Sequence, residues 1–314
     1  MQPTQFSSGD VIADRRADYA RMLAEGGDPA AAAELMEQAL ELAPAWAAGW
    51  VRLAEYLEKA ERPSDAAPAL RRVLELDPQD IFGAGLKLAL LGEVATPDKP
   101  PSRYVEALFD DYADRFEAAL VERLDYSVPG KLARLVRRVR GETGAFECAV
   151  DLGCGTGLFG VEIRSGVKRL EGFDLSANML AKAEEKGIYD HLARSDLSLP
   201  AGDSGLFGDG LPARRADLVG AADVLMYLGD LSNAFALAAA LAAPGAVFAF
   251  SVEDAATKDG FHLAPSLRYA HSESYVRGAL HAAGFETTEI ERTVIRMDGG
   301  KPVSGILFIA IRQG

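Results

Sequence analysis

The residues most able to do chemistry stand in one short run, Val150-Asp151-Leu152-Gly153-Cys154-Gly155-Thr156-Gly157-Leu158. An acid precedes three glycines on alternate positions, behind an apolar stretch that reads as a strand and ahead of one that reads as a helix. Glycine tolerates positive φ and lets a ligand approach the backbone closely. The N–H groups at the start of the following helix favour an anionic group. A second acid, Asp174 in Gly172-Phe173-Asp174-Leu175-Ser176, ends another apolar run 23 residues after Asp151. A carboxylate there suits two hydrogen bonds from a ribose diol. The plainer alternative is a ligand-free glycine turn in which Asp151 serves only as a cap.

These residues need strands to hold them. Short apolar runs at 148–152, 169–173, 218–221 and 246–251, with a weaker one at 192–195, alternate with helical patterns. Such alternation predicts a parallel sheet covered on both faces. A final pair, 286–296 and 304–312, flanks the turn Asp298-Gly299-Gly300 and predicts an antiparallel hairpin. Helices are expected over 108–117, which is studded with aromatics, around Leu132, Leu135 and Val136, and over 272–283. The most apolar stretch, 234–250, is split by Pro244-Gly245 into a helix and a strand and falls short of a clean membrane span.

The first third repeats itself. The segment from Asp28 to Pro44 can be laid over the segment from Arg62 to Pro78 at an offset of 34 residues. That is the period of the tetratricopeptide (TPR) helix–turn–helix unit. The better copy carries Trp50, Leu53 and Ala54, then Ala66, Leu70 and Val73. The degenerate copy carries Arg16, Tyr19 and Ala20, then Ala32, Met36 and Ala39. A helix over 81–91 would cap the stack. An ordinary helical hairpin with chance similarity is the alternative. Pro97 and Lys99-Pro100-Pro101 read as an extended linker. The expected domains are therefore 11–98, TPR-like, and 104–314.

Composition narrows the partners. The 314 residues carry 33 Lys and Arg against 47 Asp and Glu, a formal charge of −14. That balance argues against non-specific nucleic-acid binding and against docking on an anionic membrane. At 49% hydrophobic residues the chain can bury a real core. Cys148 and Cys154, the only cysteines, exclude a disulfide scaffold and fit reduced, cytoplasmic thiols. The polar N-terminus lacks the order of a secretion signal. No His/Cys/Asp cluster has metal-ligand spacing, so no metal is expected.

The glycine spacing discriminates between cofactors. A dinucleotide fingerprint reads G-x-G-x-x-G, and position 158 is leucine. The G-x-G-x-G spacing with an acid two residues ahead resembles motif I of the class I S-adenosylmethionine (SAM) methyltransferase superfamily. The resemblance covers about 104–314. It implies an α/β, Rossmann-like class I methyltransferase sheet, mostly parallel with an antiparallel C-terminal hairpin, here preceded by an all-α TPR-like helical domain. It implies SAM as cofactor, held by Asp151, Gly153, Cys154, Gly155 and Gly157. In Asp174-Leu175-Ser176-Ala177-Asn178-Met179, the acid would hold the ribose and Met179 would pack on the adenine. Ser195-Asp196-Leu197 would meet the adenine amino group and ring, and Ala222-Asp223 would face the methyl group and acceptor. The layout also resembles a bacterial group of TPR-containing methyltransferases that share a Phe-Asp-x-Tyr-Ala-x-x-Phe-Glu helix, here Phe109 to Glu117, and a Tyr-Ala-His-Ser stretch, here Tyr269 to Ser272.

Several residues have two readings. Tyr112 and Phe116 are core residues four apart on a helix or, by the resemblance, a lid over the methionine end of the cofactor. Tyr227 packs or lines the transfer channel. His271 is a neighbour of a helix cap or the best histidine for a general base. Asp223, Tyr227 and His271 are the catalytic candidates. No Asn-Pro-Pro-Tyr or Asp-Pro-Pro-Tyr run follows the fourth strand and no Pro-Cys pair is present, which weakens a nucleic-acid acceptor. The expected enzyme methylates a small molecule or protein, with the repeats serving protein interaction or dimerisation. The rivals are an inactive methyltransferase-like scaffold and an NAD-dependent oxidoreductase.

Overall fold

A computed structural model describes residues 7–112, 126–141, 145–208, 210–256 and 259–314. The chain divides into two compact units, Met1–Tyr104 and Val105–Gly314.

The first unit is helical. Helices α1 (Val11–Glu25), α2 (Pro29–Leu42), α3 (Ala47–Lys59) and α4 (Pro63–Leu76) follow one another, and a short α5 (Ala84–Leu90) comes last. Asp10 caps α1, its carboxylate accepting from Ile12 and Ala13 N–H at 2.8 and 2.9 Å, and Asp28 caps α2. Pro29 and Pro63 open α2 and α4 where a missing N–H costs nothing. Both bounds of α4 lie 34 residues beyond those of α2. Ala32, Met36 and Ala39 are buried, as are Ala66, Leu70 and Val73 at the same offset. Tyr19, which corresponds to Leu53, is 62% exposed. The helix expected over 81–91 begins later: Gly83 is left-handed and the Asp80 carboxylate receives Ala84 and Gly85 N–H, fixing the start at Ala84.

The second unit contains most of α6 (Ser102–Tyr112) and then α7 (Val128–Arg140), β1 (Phe146–Leu152), α8 (Leu158–Ile163), β2 (Val167–Asp174), α9 (Ala177–Glu185), β3 (His191–Arg194) and β4 (Ala216–Ala221). They are followed by α10 (Ser232–Leu241), β5 (Ala242–Asp254), β6 (Phe261–Leu263), β7 (Tyr269–His271), α11 (Glu273–Ala282), β8 (Phe285–Asp298) and β9 (Lys301–Arg312). Strands β3, β2, β1, β4 and β5 pair in that order, all parallel. Strand β9 joins β5 antiparallel and carries β8 on its far side. Glu253 pairs with Gly305 of β9 and with Ala270 of β7, so β7 extends the β5 edge that β4 occupies up to Phe250.

Alternation along β5 builds two cores. Phe248 and Phe250 face α10 and α11 and pack with Phe235, Phe285 and Phe308. Val247 and Ala249 face α7 and α8 with Leu132, Phe159 and Ile163. Each fully buried phenylalanine contributes about 2–3 kcal/mol.

Two expectations are corrected. Pro244-Gly245 do not separate helix from strand: β5 already starts at Ala242, and the pair bulges out of it, with Gly245 at φ 77°. The β6–β7 hairpin was not expected, and its three-residue strands are too short to carry a pattern.

Candidate active site

The sheet reverses direction at β1. The chain runs outward from β1 through β2 to β3, then crosses back to place β4 on the other side of β1. Connections leave the carboxyl ends of β1 and β4 in opposite directions and open a crevice there.

The turn after β1 lines this crevice. Gly153, Gly155 and Gly157 take φ of 63°, 55° and 92°, the left-handed region open to glycine. A Cβ at Gly153 would also stand 2.7 Å from the Val224 Cβ, so this glycine lets the turn lie against the end of β4. Two amides of the turn are held by β2. Cys154 N–H donates to the Phe173 carbonyl at 2.9 Å, and Gly155 N–H to the Asp174 carboxylate at 2.8 Å. The Cys154 thiol is buried and is held above its ordinary range by burial, with Asp174 and Asp151 adding to the effect.

Asp174 ends β2. Its second oxygen accepts Ser176 N–H at 2.9 Å. Burial pushes its carboxyl up to about 6 against these hydrogen bonds. Ser176 caps α9 through Met179 N–H and donates its hydroxyl to Asp110 at 2.6 Å. Asp110 thereby ties α6 to the end of β2, and Arg194 ties it to the end of β3 through Glu106 at 2.5 Å. Met179, expected against the adenine, is fully buried on the inward face of α9 with Ala183. Leu175 is the half-buried apolar residue beside Asp174.

Asp151 is 1% exposed. One oxygen accepts the Tyr189 hydroxyl at 2.7 Å, and the other has no partner among the described residues. Burial pushes this carboxyl up to about 7; the Tyr189 hydroxyl and, more weakly, the Gly160 N–H oppose the shift and Asp174 adds to it. After β3, Ser195 N–H donates to the Asp174 carbonyl, while the buried Ser195 hydroxyl has no partner among the described residues. Asp196 accepts Ser198 N–H at 2.8 Å and donates its own N–H to Ser204. Asn233 of α10 holds the Leu197 carbonyl at 2.8 Å.

Beyond β4, Ala222, Asp223, Val224 and Tyr227 are half-buried. Asp223 sits at φ 59°, a strained conformation for a non-glycine residue. Its N–H donates to the Ser251 hydroxyl at 2.8 Å, and both carboxylate oxygens accept from Arg296 at 3.0 and 2.9 Å. Arg296 also pairs with Glu253, which accepts Arg268 at 2.8 Å, and Arg268 pairs with Asp298. Burial raises the Asp223 carboxyl while Arg296 draws it down. The arginine arrives through a β-bulge: Val294 pairs with Ser304 and Arg296 with Val303, so Ile295 is the extra residue. Arg296 and Tyr189 were not anticipated from the sequence.

Tyr227 closes a short 3-10 turn, and its ring meets Phe109 of α6 edge-on at 5.1 Å. The Tyr112 side chain and all of Phe116 lie outside the described residues. His271 lies on β7 rather than in the crevice wall. It is fully buried between Phe261 and Tyr275, and its Nε2 is held by the Leu228 and Gly229 carbonyls at 2.9 and 3.0 Å. Burial lowers it to about 4, so the ring is neutral at pH 7. Among the described residues no helix is long and apolar enough to cross a membrane, and no group of three or more His, Cys, Asp or Glu is gathered to hold a metal.

The model of a family described as a methyltransferase domain matches residues 124–290. No curated protein matches the chain. Among solved structures, magnesium protoporphyrin IX methyltransferase from Synechocystis PCC 6803, with bound SAH, is 18% identical. It covers 67% of this chain and 99% of its own, at a TM-score of 0.50. An S-adenosylmethionine-dependent methyltransferase from Mesorhizobium loti is 24% identical over 57% of this chain and 96% of its own, at 0.43. One from Clostridium acetobutylicum is 16% identical over 66% of this chain and 100% of its own, at 0.47.

Proposed function

The chain belongs to the methyltransferase-domain family and is an enzyme that uses S-adenosylmethionine, and from that premise we propose that it methylates a small molecule or a protein side chain presented at the end of β4. The observation that carries this reading is the convergence of Asp151, Asp174, Ser195 and Ala222-Asp223 on the crevice where the sheet reverses.

The residues fit the cofactor. Asp174 spends one lone pair of each oxygen on a backbone N–H and keeps others for a ribose diol. The unpartnered buried atoms, Asp151 Oδ1 and Ser195 Oγ, are groups that a polar ligand would satisfy. Leu175 and Leu197 supply apolar contact for the adenine, and Asp196 faces its amino group. Gly153, Cys154, Gly155 and Gly157 give the methionine end a wall without bulk.

When bound, the cofactor supplies a methyl group activated by a sulfonium. The chain's task is alignment and exclusion of water. Asp223 and Tyr227 orient the acceptor, and Asp223 receives a proton where the acceptor must lose one. His271, neutral and enclosed, acts in our reading by shaping the β7 wall.

We assign 11–98 as a TPR-like domain for protein interaction or self-association and 104–314 as the methyltransferase domain. The equal offsets of α2 and α4 support the first assignment. Two free, buried cysteines support a reducing, cytoplasmic setting. Calorimetry with SAM tests the cofactor half of this reading, and absence of binding at millimolar cofactor would leave a scaffold in its place. Incubation with methyl-labelled SAM and cell extract, fractionated into proteins, nucleic acids and metabolites, tests the acceptor half. Label in the nucleic-acid fraction alone would refute it.

A further inference from the structure

Three glycines, two of α8 and its cap and one of β2, surround one tyrosine. A methyl group at Gly157, at the start of α8, would stand 3.0 Å from Tyr189 Cε2. At Gly160, inside α8, it would stand 2.6 Å from Cζ, and at Gly172, inside β2, 2.8 Å from Cε1. Glycine inside a helix or strand weakens the element by about 0.5–1 kcal/mol, and here two such positions clear space for the same ring. The slot ends at Asp151, whose carboxylate accepts the Tyr189 hydroxyl at 2.7 Å. The other Asp151 oxygen is buried without a partner among the described residues.

We propose that Tyr189 is a positioning residue for the cofactor site: seated in its glycine slot, it holds Asp151 as a carboxylate whose second oxygen is free to serve the cationic methionine end of the cofactor. This rests on the reading of the crevice as a SAM site.

The chemistry follows from charge. The cofactor carries a sulfonium and an ammonium, both better served by a carboxylate than by a carboxylic acid. Burial holds Asp151 near neutrality, at about 7, and the Tyr189 hydroxyl favours its ionised form. The other groups facing Asp151 are the Gly160 N–H from α8, which also favours the ionised form to a smaller extent, Asp174 from β2, which disfavours that form and itself sits at about 6, the protonated thiol of Cys154 from the turn, and the Tyr126 phenol ahead of α7. Tyr189→Phe keeps the ring in the slot and removes only the hydroxyl. It leaves the Gly155 and Ser176 contacts of Asp174 untouched, so a changed pH profile reports on Asp151.

The experiment is SAM calorimetry on the full chain from about pH 6 to 9, with thermal unfolding alongside. Wild-type affinity should rise with pH and level off as Asp151 ionises. In Tyr189→Phe the rise should move to higher pH, giving about tenfold weaker binding near pH 6.5 and equal binding near pH 9, as expected for one lost hydrogen bond to a charged group. In Asp151→Asn the part of the rise due to Asp151 should vanish. Binding should also release protons near pH 7 in wild type, seen as heats that depend on the buffer, and release fewer in Asp151→Asn. Superimposable profiles for wild type and Tyr189→Phe would overturn the proposal, as would equal weakening at every pH. An unchanged profile and unchanged proton release in Asp151→Asn would do so even if the tyrosine variant failed to fold. No heat from wild type at any pH would instead remove the cofactor reading itself.

Discussion

The acids that end β1 and β2, Asp151 and Asp174, are held from within the β1–β3 stretch by Tyr189, Gly155 and Ser176, whereas Asp223 beyond β4 is held by a side chain of the last hairpin. Gly155 donates to Asp174 across 19 residues, while Arg296 reaches Asp223 across 73. The side proposed for the cofactor is mostly backbone N–H groups and short acids on consecutive strand ends. The side proposed for the acceptor is a buried ladder of charges, Asp223, Arg296, Glu253, Arg268 and Asp298, delivered in part by the C-terminal hairpin. A local arrangement of this kind suits a ligand of fixed chemistry. One hung on a distant hairpin can change with the acceptor while the cofactor pocket stays as it is.

If the two sides are independent, damage to one should spare the other. Arg296→Met leaves Asp223 and Glu253 as buried carboxylates short of a partner and should cost about 3–5 kcal/mol by denaturant unfolding. SAM affinity of the folded fraction should not change, and a parallel loss of cofactor binding would break the distinction. The next largest effect is in pH. Asp151 binds its proton more tightly folded than unfolded, so the unliganded protein loses stability as pH rises from about 4 to about 7. Against Asp151→Asn, wild type should fall by on the order of 2–4 kcal/mol across that window. A difference constant in pH would place Asp151 elsewhere than in a buried site.

Asp174→Ala should weaken SAM binding by about 1.5–3 kcal/mol, because a diol loses its charged acceptor. Unchanged affinity would remove Asp174 from the site. Asp110→Ala, which removes the carboxylate that accepts the Ser176 hydroxyl and leaves the Asn178 side chain on the residue's backbone carbonyl, should weaken it by about 0.5–1.5 kcal/mol. Equal affinity would show that this bond can be released without disturbing the cofactor.

The same contrast explains what the sequence revealed. The glycine turn, Asp174 and Asp196 each sit at the end of a readable apolar run, and the 34-residue offset of α2 and α4 is written in prolines and alanines. Tyr189 lies in a connection with no pattern. Its signal was indirect: Gly160 and Gly172 inside regular elements, which mark a close approach. Arg296 was hidden because a bulge shifts the inside–outside alternation, leaving two adjacent residues buried in an otherwise alternating strand. Met179 was assigned to the adenine by resemblance, and it is fully buried beside Ala183. That β2 holds two amides of the glycine turn cannot be read from the turn alone.

Strand β9 lies between β5 and β8, so β8 meets the sheet only across it, and Ile306 through Ala310 are fully buried there. The pairing of Arg296 with Asp223 therefore depends on a strand that supplies neither residue: whatever seats β9 also seats the ladder.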